Sequence, residues 1–210
     1  GFDVTYLPVD RSGRVNVETL KEAVREDTIL VTVMYGNNEV GTIQPVAEMA
    51  SFLNEKDIVF HTDAVQAYGL VDIDAKQLGV DLLSISGHKI NGPKGIGFLY
   101  VKDGLHITPY QHGGEQERKR RAGTENVAGI VGFAEAVKLS QASMEERWQQ
   151  YESFREKMLE VFDHEGITYQ VNGSRLHHLP HIFNVYFPEV GSEAMLVNLD
   201  LAGIAASSGS

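Results

Sequence analysis

The feature that most constrains the fold of this chain is a regular alternation between short apolar runs and amphipathic segments. The apolar runs are rich in β-branched residues and lack a polar alternation, which is typical of strands buried on both faces of a sheet. These runs cover residues 28–36, 58–64, 80–87 and 96–101. The amphipathic segments cover residues 15–24 and 44–57, where apolar side chains recur at the spacing of one helical face.

Strand–helix–strand order of this kind predicts parallel neighbours that are joined by right-handed crossovers. We therefore predict an α/β fold with a mostly parallel sheet and helices on both faces. The gap between the runs at 80–87 and 96–101 is short, so an antiparallel edge pair is the alternative for these two strands.

The second half of the chain predicts a smaller, incomplete α+β domain. One helix is expected to end near Leu139, and a longer helix, whose apolar stripe Arg155 interrupts, leads from there to about Glu165. The predicted domains are residues 1–142, the large domain, and residues 143–210, the start of the small domain. Within the latter, we predict strands at 167–173 and 181–187 and a helix at 192–203.

The composition excludes several kinds of protein. The net charge is −11, which argues against direct nucleic-acid binding and against an anionic membrane surface. No apolar run approaches the roughly 18 residues of a membrane span, and the chain has no cysteine, which excludes thiolate metal sites. Nothing suggests export, so the predicted compartment is the cytoplasm.

Both ends of the sequence read like the interior of a protein. The chain begins at Gly1 with "GFDVTYLPVD" and stops at Ser210 in the small-residue stretch "LAGIAASSGS". We therefore expect a piece of a longer protein. A processed domain with an untidy tail is the alternative.

Polar side chains follow three of the apolar runs. In open α/β sheets, ligands bind beyond the carboxyl ends of parallel strands, which meet at one edge. We therefore expect the residues at these ends to converge. They are Asn37 and Asn38 after the first run, His61, Asp63 and Gln66 in or after the second, and Ser86, His88 and Lys89 at the end of the third.

One aspartate, one lysine and several donors at a glycine-rich edge fit the needs of pyridoxal phosphate. The amine of Lys89 could form a Schiff base with the cofactor aldehyde. The carboxylate of Asp63 could keep the pyridine nitrogen protonated, so that the ring accepts electrons. Gly87 and Gly92 would let a bulky ligand approach the backbone.

Each of these residues also has a plainer interpretation. Lys94 in "GPKG" competes with Lys89, and a lone Asp63 could cap a turn. His61 reads more readily as a core histidine or as support for the site than as a ligand, and no third ligand makes "HTD" a metal site, so no metal is predicted. The basic run at 117–121 is read as an anion site or a solvated turn, whereas Gly123 and Thr124 precede a helix suited to phosphate.

Four motifs carry a resemblance to a known family. The segments "NNEVGTIQP", "HTDAVQAYG", "SGHKINGPKGIGFLYV" and "GGEQERKRRAGTENV" occur in order. Together they resemble the cysteine desulfurases of the class V aminotransferase group, which are fold-type I pyridoxal-phosphate enzymes. The resemblance covers about residues 1 to 135 closely and the rest more loosely. It implies a pyridoxal-phosphate-dependent transferase fold for the large domain.

The resemblance also implies a role for each matching position. Lys89 would bind the cofactor covalently and move protons. The general acid would be either His88 or the family's stacking histidine, which this sequence lacks. The implied cofactor contacts are Asp63 to the ring nitrogen, Gln66 to the phenolic oxygen, Asn38 beside that oxygen and the substrate carboxylate, and Ser86 and His88 to the phosphate. Thr124 would reach the phosphate bound by the neighbouring subunit, which implies a homodimer.

The sequence departs from the family in three places. The amino-terminal part, with its phosphate loop and stacking histidine, is missing, and so is the carboxyl-terminal arginine that grips the substrate. The loop "SSGS" at 207–210 stops where the family continues into Ala-Cys, its sulfur nucleophile. We therefore expect the chain alone to be inactive as a desulfurase.

The resemblance implies a reaction and a set of partners for the parent protein. L-cysteine would become L-alanine, and its sulfur would pass through an enzyme persulfide to an iron–sulfur scaffold or a tRNA-thiolating enzyme. A selenocysteine lyase or another class V relative is the alternative within the same chemistry. From another class, the isolated chain could be an inactive module for dimerisation or docking.

Overall fold

The computed structural model describes residues 1–188 and 190–208, which form two sheets and seven helices. The strands of the larger sheet are β1 (Leu30–Thr32), β2 (Val59–Asp63), β3 (Leu82–Ser86) and β4 (Gly97–Val101), and those of the smaller one are β5 (Gln170–Val171) and β6 (Val185–Tyr186). The helices are α1 (Val17–Ala23), α2 (Val46–Glu55), α3 (Ala75–Leu78), α4 (Gln116–Lys119), α5 (Val127–Ala142), α6 (Met144–His164) and α7 (Ser192–Leu201). A 3₁₀ helix, Gly87–Ile90, follows β3.

The larger sheet has the order β1-β2-β3-β4, and the first three strands are parallel. The fourth strand runs antiparallel to β3. The α/β fold with a mostly parallel sheet is therefore confirmed, as is the antiparallel alternative for the edge pair. The chain between β3 and β4 holds one 3₁₀ turn, and a parallel crossover needs a dozen or more residues, usually with a helix.

One face of this sheet carries the main core. Alternate side chains point to that face, among them Phe60, Leu83 and Ile85, all at most 4% exposed. Helix α2 covers them with Met49 and Leu53, because its apolar residues recur every three or four positions. Helix α5 adds Phe133 to the same core.

The opposite face of the sheet is more open in the described residues. Leu30 and Leu99 on this face are 49% and 47% exposed. Thr32, His61 and Ser84 form a polar row between them. The predicted layer of helices on this second face stays a prediction.

The long helical region breaks at Ser143, between α5 and α6. The prediction of a shorter helix followed by a longer one is thereby confirmed, and the first helix ends at Ala142, close to the predicted Leu139. Arg155 of α6, which interrupts the apolar stripe, is buried and holds its guanidinium 5.0 Å from the centre of the Phe183 ring. Burial lowers the pKa of Arg155. The division into domains at this break stays a prediction.

The smaller sheet is shorter than the sequence predicts. Strands β5 and β6 pair antiparallel over two residues each. Beside them, the rings of Tyr169 and Phe187 lie 5.2 and 5.5 Å from that of Phe162 in α6. The aromatic contacts attach this sheet to the long helix. The "SSGS" loop reaches Gly209 and Ser210, which lie outside the described residues.

Truncation of Leu53 tests the core against α2. Leu53 is fully buried, so Leu53→Ala removes buried apolar surface and leaves a cavity. We expect it to lower the free energy of unfolding by about 2–5 kcal/mol, measured by urea denaturation. The matched control is Leu201→Ala, because Leu201 is 79% exposed. A loss of similar size in both variants would contradict the assigned core.

Candidate active site

The carboxyl ends of β1, β2 and β3 meet at one edge of the larger sheet. Asp63, the last residue of β2, is paired with Ser84 of β3. Beyond β1, the backbone N–H of Tyr35 donates to the carbonyl of Asp63 at 2.7 Å. This bond places the segment that leads to Asn37 and Asn38 beside Asp63. The carboxyl ends of the three strands are thus adjacent in the backbone, and the convergence of the site side chains there stays a prediction.

Asp63 is held in an Asx turn at this edge. One carboxylate oxygen, Oδ1, accepts the backbone N–H of Val65 at 2.9 Å. The side chain is exposed, and within the described residues it forms no ion pair. Gln66 lies in the following turn, where the N–H of Ala67 donates to the carbonyl of Ala64. The turn fixes the carboxylate and leaves it without an ion-pair partner in the described residues.

Lys89 lies in the 3₁₀ helix directly after β3. The turn is tight because Gly87 packs against Ile96, whose Cγ2 atom would lie 2.9 Å from a Cβ at position 87. Asn91 ends the turn in the left-handed region at φ 61°. His88 and Lys89 are exposed as a result, and Ser86 is half-buried. The tight glycine-rich turn therefore presents both basic side chains at the carboxyl end of β3.

Asn38 is carried by a loop that is ordered by its own side chains. The Oδ1 atom of Asn37 accepts the backbone N–H groups of Glu39 and Val40, both at 2.8 Å. Asn38 itself is exposed and donates to the carboxylate of Glu39 at 2.9 Å. The loop therefore offers the amide of Asn38 at the same sheet edge as Asp63.

His61 is a satisfied histidine, in line with its plainer interpretation. Its Nδ1 lies 2.7 Å from the hydroxyl of Thr32, and its Nε2 lies 2.8 Å from the hydroxyl of Ser84. Burial lowers the pKa of His61, and the charge of Asp63 opposes that effect. The neutral ring thus joins the side chains of three strands just below the candidate site.

Sequence reasoning missed His181. Its ring lies 6.2 Å from that of Tyr151, centre to centre. Burial, followed by the charges of Lys89 and Arg147, lowers the pKa of His181 to about 4. His181 is nevertheless exposed, and the charge of Lys89 reaches it only as a secondary effect. Its segment, "HHLPHIF", carries no local signal of proximity to Lys89 beyond a cluster of histidines.

The basic run at 117–121 and Thr124 both lie on the chain before α5. The last three residues of α4, Glu117, Arg118 and Lys119, have φ between 50° and 65° and are exposed, so α4 is a solvated left-handed turn and not a regular α-helix. Thr124 is exposed ahead of α5, and Asn126 caps that helix by accepting the N–H of Gly129 at 3.0 Å. The role of Thr124 in a neighbouring subunit stays a prediction.

Two structural features bear on the classes of site considered from the sequence. Within residues 1–188 and 190–208, no three His, Asp or Glu side chains come together as a metal site. In the same range, no helix combines the length and apolarity needed to cross a bilayer.

The side chains at the edge fit pyridoxal phosphate in their chemistry. Within the described part of the chain, Lys89, Gln66 and Ser86 form no side-chain hydrogen bond, and Lys89 forms no ion pair. An amine, a carboxylate, an amide and a hydroxyl are thus left available on adjacent strand ends. These groups match an aldehyde, a pyridine nitrogen, a phenolic oxygen and a phosphate.

Comparison with known proteins identifies the family. The model of the aminotransferase class V family matches residues 1–210. IscS 1 of Bacillus subtilis is 58% identical over the whole chain, which spans 55% of that relative. The cysteine desulfurase IscS of Methanosarcina thermophila is 49% identical, again over the whole chain and 52% of the relative.

A solved structure agrees with this family. A NifS-like protein superposes with a TM-score of 0.93 at 39% identity, over 99% of this chain and 57% of that one. The chain therefore spans about half the length of the relatives it matches. By sequence and by fold, this chain belongs to the class V aminotransferase family.

Proposed function

We propose that the protein containing this chain is a pyridoxal-phosphate-dependent cysteine desulfurase. It converts L-cysteine to L-alanine and passes the sulfur, as an enzyme persulfide, to an iron–sulfur scaffold or a tRNA-thiolating enzyme in the cytoplasm. The observation that carries the proposal is the match of the whole chain to relatives named cysteine desulfurase. The unpaired lysine and aspartate at adjacent strand ends support it.

The cofactor would be held by residues from all three strand ends. Pyridoxal phosphate, when bound, supplies an electron sink for a carbanion at the substrate α-carbon. Lys89 would bind its aldehyde, and Asp63 would keep its ring nitrogen protonated. The remaining contacts would be Gln66 and Asn38 at the phenolic oxygen, Ser86 and His88 at the phosphate, and Thr124 at the phosphate of the neighbouring subunit in a homodimer.

The chain's own groups account for proton movement at the α-carbon. Lys89 has no competing ion pair in the described residues, so its amine is available to take and return that proton. His88 is exposed beside it and is the candidate general acid. The sulfur nucleophile must come from outside this sequence, which contains no cysteine. We therefore expect the 210 residues alone to bring about no desulfuration.

Product analysis of the full-length protein tests this proposal. Incubation with pyridoxal phosphate and L-cysteine should yield alanine and, with a reductant, an equal amount of sulfide. L-selenocysteine under the same conditions measures the selenocysteine lyase alternative. Alanine formation from L-selenocysteine but not from L-cysteine would favour that alternative. A folded protein that gives no alanine from either substrate would support the docking module.

Substitution of Thr124 tests the shared site. If Thr124 reaches the neighbouring cofactor, Thr124→Ala should weaken pyridoxal phosphate binding by about tenfold, the equivalent of one hydrogen bond to a charged group. The measurement is fluorescence titration of the dimeric apoprotein. Ser143→Ala is the control, because Ser143 donates to the carbonyl of Leu139 at a helix end. Equal affinities in the wild type and Thr124→Ala would refute the assignment.

A further inference from the structure

We propose that Leu179 is a positioning residue for Asn38, and that it acts through a docking segment, residues 173–184, which packs on the Asn38 loop, residues 36–44. This inference rests on the proposed function, since Asn38 is assigned there to the cofactor and the substrate carboxylate. It adds that the far part of the chain sets where Asn38 lies.

Backbone hydrogen bonds join the docking segment to the Asn38 loop. The N–H of Leu179 donates to the carbonyl of Gly41 at 2.7 Å, and the N–H of Ile43 donates to the carbonyl of His177 at 2.8 Å. Between them, Thr42 and His178 form an antiparallel bridge. The two segments therefore pair as a short piece of sheet, far apart in sequence.

The side chain of Leu179 fills the space inside the loop. It is fully buried. A Cβ added to Gly36 would lie 2.5 Å from its Cδ1 atom, and one added to Gly41 would lie 3.3 Å from its carbonyl oxygen. A methyl group at position 36 would therefore force the side chain of Leu179 to shift.

Polar contacts fix the rest of the loop. The amide of Asn184 donates to the carbonyl of Glu39 at 3.0 Å, next to Asn38. The N–H of Ser174 donates to the hydroxyl of Thr42 at 3.1 Å. Thr42 is fully buried. The docking segment therefore contacts the loop on both sides of Asn38: at Gly36 before it, and at Glu39 and Thr42 after it.

The opposite side of the loop is fixed to the amino-terminal part of the chain. The side chain of Gln44 accepts the N–H of Val15 at 2.9 Å and donates to the carbonyl of Gly13 at 2.7 Å. With the Gln44 end of the loop held there, we expect loss of Leu179 to free the part that carries Asn38.

The docking segment is itself tied to α6. The Nε2 atom of His178 lies 2.7 Å from the carboxylate of Glu152, and both side chains are largely buried. The docking segment thereby connects α6 to the Asn38 loop, so a shift of α6 would also move the loop. Asn38 is placed by contacts from two distant parts of the chain.

Substitution in the full-length protein tests this inference. Leu179→Ala should raise the dissociation constant for pyridoxal phosphate about tenfold and speed amide exchange across residues 37–43. It should also raise the KM for L-cysteine more than it lowers kcat, because Asn38 is assigned to substrate binding. Leu176→Ala is the matched control, since Leu176 lies on the same segment and is 88% exposed.

A second variant guards against general misfolding. Gly36→Ala adds one methyl group against Leu179 and removes no buried side chain. As a single variant, we expect Gly36→Ala to weaken pyridoxal phosphate binding. In the double variant with Leu179→Ala, the space for the added methyl group is empty, so we expect part of that affinity to return. If the losses of pyridoxal phosphate affinity in the two single variants add up in the double variant, the proposed contact between position 36 and Leu179 is wrong.

The outcomes separate this inference from the proposed function. Wild-type protein that binds pyridoxal phosphate, together with Leu179→Ala that binds it equally well and exchanges equally slowly, would overturn the inference alone. A folded wild-type protein that does not bind pyridoxal phosphate would overturn the proposed function, and the positioning role of Leu179 with it.

Discussion

Lys89→Ala in the full-length protein is expected to abolish desulfuration, with a loss of at least about a thousandfold in kcat. General acid–base catalysis by one group contributes about 10²–10⁴-fold, and Lys89 would also lose its covalent bond to the cofactor. The visible absorbance band that borohydride removes from the wild type should be absent from the variant. Alanine release from L-cysteine and the absorbance spectrum are the two measurements.

Lys94→Ala is the matched control for this experiment. Both lysines are exposed and lie on the chain between β3 and β4, but Lys89 follows β3 directly, whereas Lys94 precedes β4. Lys94→Ala should keep the band and most of the activity. A protein that loses the band in Lys94→Ala and keeps it in Lys89→Ala would have its covalent lysine at position 94, contrary to our assignment.

Asp63→Ala is expected to cause the second largest loss. Without a carboxylate at this strand end, the pyridine nitrogen would no longer be held protonated, and the electron sink would weaken. We expect kcat to fall by at least about a hundredfold and pyridoxal phosphate to dissociate during dialysis. Asp63→Asn should keep the acceptor for the Val65 N–H but not the charge, so it should lose activity and keep its fold.

The control for Asp63 is another exposed carboxylate at the far end of the sheet. Asp103 follows the end of β4, which runs antiparallel to β3, so it lies at the edge opposite to Asp63. Asp103→Ala should leave cofactor retention and turnover unchanged. Wild-type turnover in Asp63→Ala would remove this residue from the site.

The larger sheet and the helix that covers it could be predicted from the sequence because their signals are local. The apolar runs of β2 and β3 and the helical face of α2 each specify their own structure, and the crossover rule then gives parallel neighbours. The edge strand β1 is shorter than its apolar run. Leu30 and Thr32 are exposed there, and register with β2 extends over three residues.

The candidate site could be predicted only in part. Topology predicts that the carboxyl ends of β2 and β3 are neighbours, and Asp63, the last residue of β2, pairs with Ser84 of β3. His181 and Leu179 could not be found in this way, since their neighbours come from segments far away in the sequence. No periodicity records such a contact. The strands of the smaller sheet were predicted too long for a related reason, because an apolar run does not specify how far its partner extends.

The strand order β1-β2-β3-β4 follows the order of the chain, and this has a consequence for biogenesis. Each strand pairs with the next one to be synthesised, so the larger sheet can assemble as the polypeptide leaves the ribosome. The hydrogen bonds between residues 36–44 and residues 173–184 can form only after the second segment has been synthesised. We expect Asn38 to become ordered late, after the sheet that carries Asp63 and Lys89 has already folded.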